Sequence, residues 1–206
     1  MQCKVEELDE YLSLIKPFFS SIEGKSVLEY ACFAGDWWKM FALHSPKNVI
    51  AFDPVNYNEL YNDDLLQRNL QMYCDLVEHH HIGYEDFKST DCDVIVCAGL
   101  LYKLSSPFNL IENIANKNPD IIFFETTGHI GDGESISILK YGDDVHHRDL
   151  NRNFNTRRLP WIVQITPDTV AQAFDKLGYK LEDHINISCK SRPSKERVAM
   201  MRFIKK

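Results

Sequence analysis

The chain has no CxxC pair, no apolar run long enough to cross a bilayer, no glycine-rich tract and no excess of positive charge. Each absence excludes something. The six cysteines (Cys3, Cys32, Cys74, Cys92, Cys97, Cys189) are scattered, mostly in apolar context. That argues against a disulfide framework or zinc site and for buried, reduced thiols. A spanning helix needs roughly 20 consecutive apolar residues, so no membrane partner is expected. The N-terminal MQCKVEELDEYL is acidic where a secretory signal is basic and then apolar, and the expected location is cytoplasmic. Lys and Arg number 23 against 30 Asp and Glu, a net charge of -7. Nucleic-acid binding draws its affinity from clustered Lys and Arg. Here such residues crowd only two short segments, Arg148, Arg152, Arg157 and Arg158, then Lys190, Arg192, Lys195 and Arg197. Nucleic acid is thus the lesser expectation as partner, behind a small molecule.

What is present suits one domain with a full core: 206 residues, 44% hydrophobic and 26% charged. The stretch that organises it is SVLEYACFAGDWW, from Ser26 to Trp38. An apolar run, Val27-Leu28, reaches an acid, Glu29. Small residues follow at Ala31, Ala34 and Gly35, and a helix-like run continues to His44. Strand, tight turn and helix N-terminus in that order expose backbone N–H groups to a ligand. A second short strand, Asn48 to Phe52, then delivers Asp53, eighteen positions after Gly35. An acid at about 20 residues beyond such a turn is placed to accept both ribose hydroxyls of a nucleotide.

Before this unit, Val5, Leu8, Leu12, Ile15 and Phe19 recur at helical spacing, predicting an amphipathic helix that Gly24 closes. After it, Leu60 to Leu70 reads as helix, Leu76 to His80 as strand, and DVIVC, Asp93 to Cys97, as a strand buried on both faces. Ser106-Pro107 reads as N-cap and first helical residue of a helix to about Asn118, followed by the strand Ile121 to Glu125. Residues 126–165 carry GDG and YGDD turns and few core-sized residues. They read as an insertion serving as lid or substrate-specificity segment. Regular structure returns at Thr166-Pro167, a helix ends at Gly178, and Tyr179 to Ser188 with Arg197 to Ile204 form a terminal antiparallel hairpin. The predicted fold is α/β, a doubly wound, seven-stranded, mostly parallel sheet in a single domain of residues 1–206.

The acidic strand end, small-residue turn, Asp53 and terminal hairpin together resemble the class I S-adenosylmethionine-dependent methyltransferases, with their Rossmann-like fold. Within that class the chain is most similar to the bacterial carboxymethyltransferases that modify 5-hydroxyuridine at the tRNA wobble position. The similarity rests on VLEYACFAGDWWKM, FDP, HIGYEDF, DVIVCAGLLYKLSSP, FFETTGHIGD and WIVQITPDTVAQAFDKLGY, in order from about Lys25 to Tyr179. It implies cofactor contacts at Gly35, Asp53, Pro54, Val55, Tyr84, Glu85, Ala98 and Tyr102. It also implies that Glu29 and Ala31 belong to the cofactor site, with the backbone from Ala31 to Gly35 facing the methionine part. The first glycines of the usual turn are replaced by Ala31 and Phe33. The wobble-uridine enzymes carry an N-terminal extension of which only the residues before Lys25 stand here, and Lys103 follows the family's tyrosine where His is common. Ordinary methyl transfer is therefore the expectation.

A methyl group leaves a sulfonium by in-line displacement, so alignment and exclusion of water matter most and a general base is optional. Glu125, at a strand end, and His129, four residues on, are the candidate bases, and Tyr102 is the candidate for orienting sulfonium or acceptor. His146 and His147, farther along the insertion, are candidate bases too, and Trp161 reads as a pocket wall or a core anchor. His79, His80 and His81 alternate in direction along a strand and do not share one metal, and no metal is expected, at Asp143, Asp144, His146 and His147 included. The expected function is S-adenosylmethionine-dependent methyl transfer to an O or N acceptor on a small molecule. The alternatives are a tRNA wobble-uridine methyl- or carboxymethyltransferase and a non-catalytic S-adenosylmethionine-binding module.

Overall fold

The structure is a computed structural model that describes residues 13–54, 64–83, 86–87, 91–101, 104, 106–127, 130–131, 136–140, 161–188 and 197–206. Among the described residues, nine strands follow in chain order: β1 (Ser26–Tyr30), β2 (Asn48–Phe52), β3 (Val77–His80), β4 (Val94–Ala98), β5 (Ile121–Thr127), β6 (Ile136–Lys140), β7 (Trp161–Ile165), β8 (Tyr179–Ser188) and β9 (Arg197–Lys205). Four α-helices among the described residues alternate with them: α1 (Trp38–Leu43), α2 (Leu65–Met72), α3 (Pro107–Asn116) and α4 (Pro167–Lys176). Seven strands form one sheet in the order β3-β2-β1-β4-β5-β9-β8. The first five run parallel, and β9 pairs antiparallel with both β5 and β8. The predicted doubly wound sheet with its terminal antiparallel pair is what the structure has.

Alternation along the strands builds two apolar layers. Val27, Val49, Val94, Val96, Phe123 and Met200 face one side, where they meet Phe18, Phe19, Trp38 and Phe41. Leu28, Tyr30, Ile95, Ile122, Phe124 and Phe203 face the other, against Leu110, Ile111 and Ile114 of α3 and Val170 and Phe174 of α4. Aromatic rings anchor each layer, with Phe19 and Phe123 centroids 4.5 Å apart on one side and Phe174 and Phe203 4.6 Å apart on the other. Glu29 shares the face of Val27, so this one acid of β1 points into the layer that α1 covers.

Three expectations need correction. The N-terminal segment is a 3₁₀ helix over Lys16–Ile22 with Pro17 near its start. Proline supplies no N–H and disfavours the α region for the residue before it, so an α-helix does not run on through Phe19. Residues 1–12, where that helix was expected to begin, lie outside the described residues. Second, α3 stops at Asn116, because Asn118 takes the left-handed conformation (φ 56) just before Pro119. Ser106 stands at its N-cap but its side chain makes no capping bond. Third, regular structure returns before Thr166. β5 runs to Thr127, and β6 and β7 pair antiparallel, from Ile136↔Ile165 to Lys140↔Trp161. ISILK and WIVQI are short β-branched runs overshadowed by the turn residues around them.

Candidate functional site

In an open α/β sheet the crevice lies beyond the carboxyl ends of the strands, where successive strands depart in opposite directions. Here β1 sits between β2 and β4, and the chain steps outward to β2 and β3 on one side and to β4 and β5 on the other. Glu29, Ala31, Gly35, Asp53, Pro54 and Ala98 stand at or just past these strand ends, whereas Glu125, expected at the end of its strand, lies two residues inside β5 because that strand continues to Thr127. Ala98 and Glu125 are register partners across β4 and β5. Val55, Tyr84, Glu85, Tyr102 and His129 lie outside the described residues, as do His146 and His147. So does most of the segment between Thr127 and Trp161.

The turn after β1 keeps its shape without its first glycines. Ala31 (φ 56) and Phe33 (φ 53) are both left-handed, as is Gly35 (φ 82). For a residue with a Cβ that region costs roughly 1–2 kcal/mol, so the neighbours must hold it. They do so through β2: Cys32 N–H donates to the Phe52 carbonyl (3.2 Å), and Phe33 N–H donates to Asp53 Oδ2 (3.0 Å). Helix α2 adds Asn69, whose amide donates to the Ala34 carbonyl at 2.7 Å. Inside the turn, Gly35 N–H donates to the Cys32 carbonyl at 2.7 Å.

Asp53 is 4% exposed. Two carbonyls fix the path on either side of it: Asp53 N–H donates to the His80 carbonyl, and the Pro54 carbonyl lies 2.9 Å from His81 Nε2. Phe87, from the HIGYEDF segment, stacks on Phe52 at the end of β2 with centroids 4.7 Å apart.

Glu29 is the most deeply buried acid of the site. It is 1% exposed, and Trp38 of α1 donates its indole N–H to Glu29 Oε2 at 2.7 Å. Burial pushes its carboxyl up to about 8; the Trp38 bond pulls it back down in part, while Asp36 and Asp53 push it further up. Its other oxygen, Oε1, is buried with no hydrogen-bond partner among the described residues. The half-buried His79 ring meets Trp38 edge to face, and partial burial lowers its pKa. Nothing in the sequence marks Trp38 as a partner of Glu29. Nine residues of spacing between a strand acid and a helix indole carry no contact signal until the helix is rotated into place.

No protein-family model matches the chain. Curated relatives are the tRNA U34 carboxymethyltransferases of Campylobacter jejuni, 27% identical over 134 residues, and of Campylobacter lari, 25% identical over 131. Each alignment covers 62% of this chain and 43% of the relative. The chain thus spans less than half the length of the curated relatives it matches. Among solved structures, the N-methyltransferase NodS from Bradyrhizobium japonicum superposes with TM-score 0.63 at 15% identity, covering 98% of both chains. Magnesium protoporphyrin IX methyltransferase from Synechocystis, with bound S-adenosylhomocysteine, gives 0.66 at 9% identity, covering 98% of this chain and 82% of that one. The 1,6-didemethyltoxoflavin-N1-methyltransferase of Burkholderia thailandensis, also with S-adenosylhomocysteine, gives 0.65 at 11%, covering 97% and 78%. Strand order, terminal antiparallel pair and these superpositions agree: the chain has the Rossmann-like fold of the class I S-adenosylmethionine-dependent methyltransferases.

Proposed function

We propose that the chain binds S-adenosylmethionine across the carboxyl ends of β1 and β2 and transfers its methyl group to an O or N acceptor on a small molecule. The observation that carries this is the pairing of Asp53 with the turn it faces, at the sheet's switch point: a buried carboxylate that holds Phe33 N–H with one oxygen. Such a group accepts ribose hydroxyls while keeping the turn in the shape that meets the rest of the nucleotide.

In this reading the backbone from Ala31 to Gly35 and the acid Glu29 border the methionine part, whose ammonium suits a site lined by Glu29 and Asp36. Pro54, Val55, Tyr84 and Glu85 border the adenosine, and Ala98 and Tyr102 lie along the sulfonium. As the acceptor attacks, the sulfur–methyl bond breaks, its electron pair returns to sulfur, and S-adenosylhomocysteine leaves. Glu125 or His129 takes the proton from an acceptor that carries one. Residues 126–165 act as lid and specificity element over this edge.

The curated relatives favour a second reading, methyl or carboxymethyl transfer to a tRNA wobble uridine, with Arg148, Arg152, Arg157 and Arg158 engaging phosphate. A tRNA affinity that falls steeply with salt supports it, and no affinity at low ionic strength removes it. A third, binding without transfer, is supported if calorimetry detects the cofactor while no acceptor is turned over. Titration with S-adenosylmethionine and S-adenosylhomocysteine tests the main proposal, and no heat of binding with either overturns it.

A further inference from the structure

We propose that Trp38 is a positioning residue for the cofactor turn, its ring shaping the turn at Gly35 and its indole N–H holding Glu29, so that one side chain sets both the loop and the acid beside it. This inference rests on the reading of the site as an S-adenosylmethionine site.

The geometry asks more of Trp38 than packing. A Cβ built on Gly35 comes within 2.5 Å of the Trp38 ring. Position 35 therefore excludes side chains twice, by its φ of 82° and by the indole lying against it. The Trp38 backbone N–H also donates to the Gly35 carbonyl at 3.1 Å. The same residue thus grips the turn through ring and backbone, and reaches back to β1 through its N–H. Phenylalanine fills the apolar part of this space but supplies no donor for Glu29.

The groups facing Glu29 come from every element around it. Asp36 and Cys32 come from the turn and Asp53 from the end of β2, His79 of β3 lies across the indole, and Cys97 of β4 acts on Glu29 from the sheet's other face. Burial raises the pKa of both thiols and lowers that of His79, disfavouring the charged form of each. The remaining charges facing Glu29 are acids. A ligand ammonium beside this group draws Glu29 into its ionised form, and the Trp38 N–H stabilises the same ion. The indole should therefore set the pH at which a cofactor bearing an ammonium group binds well.

The test is the affinity for S-adenosylhomocysteine between about pH 6 and 8.5 in the intact chain, Trp38→Phe and Glu29→Gln. The unsubstituted protein should bind more tightly as pH rises. Trp38→Phe should show that rise displaced to higher pH and roughly tenfold weaker binding at neutrality, and Glu29→Gln should lose the rise. A Trp38→Phe profile that overlays the original overturns the inference. Should that variant fail to fold, a Glu29→Gln profile that keeps the original pH dependence overturns it equally. Absence of binding by the unsubstituted chain at every pH removes the cofactor reading and this inference with it. Tight binding with coincident profiles removes only the role of Trp38.

Discussion

At the scale of single residues, Asp53 and Gly35 make the sharpest demands. One Asp53 oxygen serves the turn, so Asp53→Ala perturbs loop and ligand together, whereas Asp53→Asn keeps an acceptor for Phe33 N–H and removes the charge. A hydrogen bond to a charged group contributes about 1.5–3 kcal/mol. Asp53→Asn should then weaken S-adenosylhomocysteine binding roughly tenfold to a hundredfold with little loss of stability, and Asp53→Ala should weaken it at least as much. Calorimetry beside thermal melts separates the two effects, and undiminished affinity in Asp53→Ala refutes the ribose role. Gly35→Ala tests the turn itself. It forces a Cβ into the left-handed region, at roughly 1–2 kcal/mol, and into the Trp38 ring, where overpacking costs about 1–3 kcal/mol more. Urea unfolding should show both losses, and adding Trp38→Leu should restore only the part due to the ring.

Among the elements, the helix ends offer a controlled comparison. Thr166 Oγ1 accepts from Thr169 N–H at 3.3 Å, which satisfies one orphan donor of α4, while Ser106 makes no such bond at the start of α3. Thr166→Ala should cost about 1 kcal/mol and Ser106→Ala next to nothing by chemical denaturation; equal losses would show that the caps do not differ in this way. Both positions look alike in sequence, Ser or Thr before Pro, and only the backbone distinguishes them: Thr166 is extended (φ -73, ψ 159) and Ser106 is not (φ -133, ψ 72). The strands are the most readable elements, since VLEY, NVIAF and DVIVC are β-branched and apolar runs bounded by turns, and their edges fall within a residue or two of prediction. β6 and β7 are not readable that way, because they pair with each other outside the main sheet and lack its continuous apolar signature. Of the site, Glu29, the turn and Asp53 are legible because strand, turn and acid follow one another along the chain. The Trp38 to Glu29 contact is not, because it depends on how α1 rolls against the sheet.

For the whole molecule, the buried Glu29 and the half-buried His79, on either side of Trp38, shape the pH dependence of stability. Glu29 has its pKa raised from 4.5 to about 8 in the fold. The folded chain therefore keeps a proton that the unfolded chain releases as pH rises past 4.5. Its contribution is fully present below that value and is lost progressively as pH climbs toward about 8. His79 acts with the opposite sign. Its pKa is lowered from 6.5, so its contribution is present above that value and is lost as pH falls below it. As pH rises from 6.5 the His79 contribution levels off, so toward about 8 the slope belongs to Glu29. Urea midpoints should fall across that window by an amount on the order of a few kcal/mol in unfolding free energy. Glu29→Gln should flatten that slope, since the amide keeps an acceptor for the Trp38 N–H but does not titrate. A slope that survives Glu29→Gln would assign it to another group and place Glu29 among the ordinary carboxylates. A fold that sheds stability as this carboxyl ionises also gains from any cation that binds beside it. The same acid that weakens the empty protein at alkaline pH is then the one an ammonium-bearing ligand stabilises, and its affinity and the protein's stability should run in opposite directions with pH.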